Sequence, residues 1–244
     1  MISLHRALFK KKHKTYAKFF SHPFVTKNMS ACKLIVFDMD GTLTLPQRWM
    51  FKEMRESINL PLDSKKDILG YLDNEVTDEK LRSQYHVNIK NIEKKAMLLQ
   101  EPQPGLNELL AYLHSKNISK NIVTRNYIDP VQNFIAKFVH KDYNTFDVIL
   151  TRSFKPPKPS PQPLLHIITN NINPETHGTD LNYKEFFMVG DSYDDMKSGR
   201  DAGFTTILVV NETNQKNILE HDHHKLLVDH TVTHLAEIIN IIEQ

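Results

Sequence analysis

From Lys33 onward, short continuous apolar runs alternate with stretches whose apolar residues recur at helical spacing. The runs are Leu34–Phe37, Ile122–Val123, Val148–Leu150, Phe186–Val189 and Thr206–Val210. Runs that are apolar throughout, rather than at every second residue, predict strands buried on both faces. Helical patterns between them cover Leu106–Ser115, Val131–Val139, Pro163–Asn170 and Asp194–Asp201, and a last one covers Val232–Ile242. This alternation predicts an α/β fold, an open parallel sheet flanked by helices.

One stretch breaks the alternation. Between Thr44 and Glu101 there is no strand pattern, only helical ones: Phe51–Ile58, Ser64–Leu72 and Asp78–Leu99 with an interruption. It ends at the breaker Glu101-Pro102-Gln103-Pro104-Gly105. The expected organisation is an α/β core of residues 30–44 and 102–244, with a small all-helical cap, 45–101, inserted after the first strand. Open α/β sheets bind ligands beyond the carboxyl ends of their strands, so the cap would roof that crevice.

Charge adds a second division. The chain of 244 residues has a formal net charge of +2, yet no acidic residue precedes Asp38. Residues 1–29 carry seven of the 31 basic residues, and the remaining 24 face 29 acidic ones, leaving the body at −5. The leader is basic and partly amphipathic, with Leu8, Phe9, Tyr16, Phe19 and Phe20 mostly opposite Lys10, Lys11, Lys14 and Lys18. That composition fits a mitochondrial targeting segment or a disordered extension, and Met29 offers a second start. The expected localisation is cytoplasmic, with mitochondrial targeting as the alternative. An acidic body argues against nucleic acid as a partner. No apolar run reaches the ~18–20 residues of a membrane span. The single cysteine, Cys32, excludes an internal disulfide and any cysteine-cluster metal site.

The chemistry-bearing residues gather at strand ends. The first strand runs into Asp38-Met39-Asp40-Gly41-Thr42-Leu43, and the fourth into Gly190-Asp191-Ser192-Tyr193-Asp194-Asp195. Carboxylates from two strand ends make a hard oxygen site suited to Mg²⁺, and Gly41 lets backbone N–H groups approach an anion. Such a cluster needs cations: the metal, and Lys158 in a loop stiffened by Pro156, Pro157, Pro159, Pro161 and Pro163. Lys155 lies close enough in sequence to compete for that part. Thr124, after the second strand, offers a hydroxyl either to a ligand or to a helix as its N-cap. Arg125 and Asn126 fit substrate contact or a surface turn equally. His221, His223 and His224 lie outside any motif and read as a solvated loop. Trp49 and Phe51 open the cap, where they could contact substrate but read first as core or hinge residues.

Asp-x-Asp-Gly-Thr-Leu, a strand-terminal Thr, Lys-Pro and Gly-Asp-Ser-x-x-Asp, in this order, resemble the haloacid dehalogenase-like hydrolase superfamily. The insertion resembles that of its helical-cap subclass, and Thr151–Pro159 is similar to the phosphoglycolate-phosphatase-like branch. The resemblance spans residues 33–210 and implies a Rossmann-like core and a Mg²⁺-dependent phosphatase acting on a small phosphorylated metabolite. It implies Asp38 as nucleophile and metal ligand, and Asp40 as general acid and base whose carbonyl binds the metal. Thr124, Arg125 and Lys158 would hold the phosphoryl group. Asp191 would ligate Mg²⁺, with Asp195 and Asp194 behind it. A phosphotransferase or mutase would use the same phospho-aspartate. A non-catalytic binding protein would be marked by lost motif residues, and none is lost.

Overall fold

A computed structural model of the chain describes residues 32–171 and 181–244. The basic leader, residues 1–29, lies outside them, so the readings made of it do too. Six strands form one sheet, all parallel: β1 (Leu34–Phe37), β2 (Ser119–Val123), β3 (Val148–Leu150), β4 (Phe186–Gly190), β5 (Thr205–Val209) and β6 (His230–Val232), in the order β3-β2-β1-β4-β5-β6. Among the described residues, the helices outside the cap include α4 (Leu106–Ser115), α5 (Ile128–Phe138), α6 (Gln162–Asn171), α7 (Tyr193–Asp201) and α8 (Ile238–Ile242).

Every residue of β1 is buried, because both sheet faces are covered. Ile35 and Phe37 share a cluster with Leu109 and Leu113 of α4 and Phe134 of α5. Leu34 and Val36 share another with Leu164 and Ile167 of α6 and with Phe204. This is why β1 reads as a continuous apolar run. Phe37 pairs with Ile122 on one side and Val189 on the other, so the strand ends carrying Asp38, Thr124 and Asp191 reach the same edge. Chain direction across the sheet diverges at β1, where an open α/β sheet forms its crevice.

Over that edge lie α1 (Arg48–Ser57), α2 (Ile68–Asn74) and α3 (Glu79–Leu98). They bury a core of their own around Met54, Ile58, Leu72, Tyr85 and Ile89. The chain enters and leaves this cap by two segments paired side by side: Leu45 N–H donates to Glu101 O at 2.9 Å and Gln103 N–H to Leu43 O at 3.0 Å.

Three expectations change. α3 has no interruption and runs for 20 residues from an Asp78 N-cap. Its Asn88 amide donates to Ser57 O at 3.0 Å, so this polar residue joins α3 to α1 instead of competing with its own backbone. The Val232–Ile242 pattern is not one helix: Val232 ends the edge strand β6, and only Ile238–Ile242 is α-helical. β2 starts earlier than its apolar pair, at Ser119, because its polar side chains are satisfied internally. Asn121 donates to Ile35 O at 3.3 Å and accepts from Val148 N–H at 3.1 Å, while Lys120 Nζ donates to Tyr143 O at 2.8 Å.

Candidate active site

Lys158 sits at the centre of the strand-end cluster, 3% exposed. Its Nζ donates to Asp38 Oδ1 at 2.8 Å, Asp195 Oδ1 at 2.6 Å and Val123 O at 2.8 Å, using all three ammonium donors. Burial alone would lower the lysine pKa, but Asp195 and Asp38 outweigh it and hold the pKa above the ordinary value. Lys155 is 61% exposed and pairs instead with Asp73 of the cap, 3.6 Å away. Of the two lysines, Lys158 therefore occupies the cluster.

Asp38, Asp191 and Asp195 each offer a carboxylate oxygen, all within 4.8 Å of one another. Burial raises the Asp38 pKa to about 7; Lys158 opposes the rise, and Asp195 and Asp40 add to it. Burial likewise lifts Asp191 well above the carboxylate range, reinforced by Asp195, Asp38 and Asp40. Charges held this close need a counter-cation, and an all-carboxylate donor set fits a hard divalent ion. Asp195 is wholly buried. Its Oδ2 accepts from Ser192 N at 3.0 Å and from Ser192 Oγ at 2.6 Å, and Asp195 N–H donates to Ser192 Oγ at 3.3 Å, completing the capping box that starts α7. With Lys158 on Oδ1, both oxygens of Asp195 are engaged, which suits a supporting place behind Asp38 and Asp191.

Two glycines make room for these acids. At Gly41, φ +79°, a Cβ would stand 2.1 Å from Asp191 Oδ2; at Gly190 it would stand 2.2 Å from Asp195 Cβ. Only glycine tolerates both contacts, and Gly41 also needs its backbone freedom.

The remaining predicted residues sit around this centre. Asp40 has its pKa raised by burial, against the hydrogen bond that Asn126 Nδ2 donates to its Oδ2. Thr124 is buried, and its Oγ1 accepts from Asn126 N–H at 3.1 Å. It does not cap α5, whose N-cap position is Tyr127. Arg125 spans the gap between cap and core. It donates to Asp67 at 2.6 and 2.7 Å and to Asp194 at 3.2 Å. Burial raises the Asp194 pKa, with Arg125 pulling it back.

Some lining residues had no sequence signature. A cavity of about 340 Å³ between cap and core is lined by Asp38, Asp40, Thr124 and Lys158, and by Glu93, Arg152 and α1 side chains. Glu93, 3% exposed on α3, forms a bidentate ion pair with Arg152. No local motif marks this pair, because 59 residues separate its members. Phe51 lines the cavity, whereas Trp49 packs on the cap core beneath Lys95, 4.5 Å from the ring centre. His221 and His224 stack at 3.7 Å, and neither belongs to the carboxylate group that could hold a metal.

The comparisons agree with this geometry. Residues 35–209 match the family model described as haloacid dehalogenase-like hydrolase. An uncharacterised hydrolase of Saccharomyces cerevisiae is 48% identical over 212 residues, which is 86% of this chain and 91% of that protein. A haloacid dehalogenase-like hydrolase domain-containing protein of Arabidopsis thaliana is 33% identical over 218 residues, 86% of this chain and 83% of that one. Among solved structures, a predicted phosphoglycolate phosphatase of Haemophilus somnus aligns with a TM-score of 0.59 at 20% identity. The alignment covers 87% of this chain and 99% of that one, a likeness of fold. Sheet order, helical cap, strand-end motifs and matched relatives converge: the chain belongs to the haloacid dehalogenase-like hydrolases.

Proposed function

We propose that the protein is a Mg²⁺-dependent phosphomonoesterase that hydrolyses a small phosphorylated metabolite through a phospho-aspartate. The observation that carries this reading is the Lys158 ammonium held between Asp38 and Asp195, at 2.8 and 2.6 Å, beside Asp191. A carboxylate attacks a phosphate dianion only where charge repulsion is cancelled, and this arrangement supplies one cation and a place for another.

In this reading an Asp38 oxygen attacks phosphorus and the bond to the leaving alcohol breaks. Asp40 gives that alcohol its proton. Water then attacks the phosphorus of phospho-aspartate; Asp40 takes a proton from it, and the phosphorus–oxygen bond to Asp38 breaks. Inorganic phosphate leaves, and both carboxylates return to their starting states. Lys158 neutralises the nucleophile while Thr124 and neighbouring backbone N–H groups orient the phosphoryl oxygens, positioning being the larger part of such catalysis. Arg125 also faces the phosphoryl group in this scheme, steadied by Asp67 and Asp194. The carboxylates of Asp38 and Asp191 with the Asp40 carbonyl would hold Mg²⁺, supported by Asp195 and Asp194. When bound, the ion supplies charge neutralisation and Lewis-acid polarisation of the phosphoryl oxygens.

The domain reading, a cap of 45–101 on a core of 30–44 and 102–244, belongs to the same proposal. So does kinship with the phosphoglycolate-phosphatase-like branch, supported by Thr151–Pro159 and by the name of the Haemophilus structure. The test is phosphate release from an aryl phosphate with Mg²⁺ or with EDTA, beside Asp38→Asn. Activity that survives EDTA, or an unimpaired Asn variant, refutes the mechanism. Transfer to an added alcohol in place of release would identify a phosphotransferase. Failure to turn over a broad panel of phosphate esters would favour a binding protein.

A further inference from the structure

We propose that the first cap helix reads the leaving alcohol, and that the substrate is a phosphate ester whose alcohol has an apolar body ending in a hydrogen-bond acceptor. The inference rests on the phosphatase reading and deepens it. The cavity that begins at Asp38 and Lys158 continues upward to Met50, Phe51 and Met54 of α1 and to Ile68 and Leu69 of α2. A phosphoryl group at the carboxylates would leave the rest of the ester against this wall. Met50, Met54 and Ile68 are buried, whereas Phe51 is 52% exposed although it lines the cavity. An aromatic ring half open to water beside a catalytic crevice gains by covering with apolar substrate. A polyhydroxylated alcohol would instead lose its water to this wall without hydrogen bonds in return.

The charged lining groups are mostly committed. Arg125 is held by Asp67 and Asp194, Arg152 by Glu93, and Lys158 by Asp38 and Asp195. Arg55 differs. It lines the cavity one residue beyond Met54, and its Nη2 donates to Lys66 O at 3.0 Å. Its Nη1 is buried with no partner among the described residues. A buried donor without an acceptor is costly, and a side-chain rotation that turns this nitrogen into the cavity would let an acceptor on the alcohol satisfy it. The α1 wall thus combines an apolar stretch with one polar contact.

The experiment is a substrate series on the full chain with Mg²⁺, using an aryl phosphate as the control for activity. The n-alkyl phosphates from ethyl to pentyl share leaving-group chemistry and differ only in methylenes. We expect kcat/KM to rise roughly fourfold per methylene that reaches the wall, and n-butyl phosphate to exceed glycerol 3-phosphate. Adding a terminal carboxylate to pentyl phosphate should raise kcat/KM by about tenfold or more. Arg55→Met should erase that increment and leave pentyl phosphate itself little changed, a substrate dependence that a merely structural arginine would not produce. A flat or falling alkyl series with an active control overturns the apolar reading. Equal losses on both pentyl esters in Arg55→Met overturn the role of Arg55. If the aryl control and every other ester are inert, the phosphatase reading falls and the inference with it.

Discussion

Arg152→Met should weaken the protein in a way whose size depends on pH. Arg152 and Glu93 are 15% and 3% exposed, so removing the guanidinium strands a carboxylate in the wall between cap and core. Burial already raises the Glu93 pKa, and Arg152 is the first influence pulling it back. Breaking a buried pair from one side costs about 3–5 kcal/mol. The folded variant can escape by protonating Glu93. Against an unfolded pKa of about 4.3, that costs about 1.36 kcal/mol for each of some 2.7 pH units, or about 3.7 kcal/mol at pH 7. The expected deficit at pH 7 is therefore about 3–4 kcal/mol, a fall in the urea midpoint of about 1–2 M. The sign follows from the variant's folded pKa lying above its unfolded one: the penalty is fully present at high pH and disappears below the unfolded value. It should shrink by about 1.4 kcal/mol per pH unit between pH 7 and 5. Lost packing of Arg152 on Tyr127, 4.2 Å from the ring centre, and its 2.8 Å bond to Arg125 O add a part that pH does not change. Urea titrations at pH 7, 6 and 5 on the parent, Arg152→Met and the double variant Arg152→Met with Glu93→Leu measure each contribution. The double variant should recover most of the loss, because no charge is left unpaired. A deficit independent of pH, or a double variant no more stable than the single one, would refute the reasoning.

Three further outcomes follow from other parts of the structure. Asn126→Ala removes the amide that holds Asp40, and kcat should fall about 10- to 100-fold on an alkyl phosphate but much less on an aryl phosphate. Equal losses on both esters would show that Asn126 does not serve proton transfer. Gly41→Ala puts a methyl group where Asp191 Oδ2 now lies, at φ +79°, so the Mg²⁺ concentration for half-maximal activity should rise at least about tenfold. An unchanged Mg²⁺ dependence would count against Asp191 as a ligand. For the partly exposed Asp229, burial acts upward, but bonds from Thr206 and Arg200 lower its pKa overall. Its stabilisation is present above the unfolded pKa of about 3.9 and fades as pH falls through the lower folded value. Solvent screening keeps it below about 1 kcal/mol. Asp229→Asn should thus lower the melting temperature slightly at pH 7, and the gap should narrow as pH drops below 4.

What could be read from the chain was what local pattern encodes. The strands β1, β3, β4 and β5 announced themselves because burial on both faces, or a short apolar core, leaves little room for polar residues. Asp38, Asp40, Asp191 and Lys158 stood out because each follows a strand or sits in a proline-stiffened loop, where no packing role competes for them. The polar start of β2 was hidden, since Lys120 and Asn121 are paid for by partners more than twenty residues away. β6 was hidden because a three-residue edge strand with one buried side chain has no period to detect. The Arg152–Glu93 pair and the α1 wall became visible only when the cap closed over the sheet. Such contacts are set by three-dimensional docking, and no spacing along the chain records them.

Lys158 has one more consequence, for folding. Its three acceptors come from the end of β2, the residue after β1 and the first turn of α7 behind β4. A slip of one residue between β1 and either neighbour would reverse side-chain direction on the shifted strand and pull an acceptor away from the ammonium. That error would strand a buried positive charge, a heavier penalty than mispaired apolar side chains impose. The lysine thus works as a gauge of sheet alignment: the correctly registered chain satisfies it, and a near-native competitor is penalised before any substrate arrives.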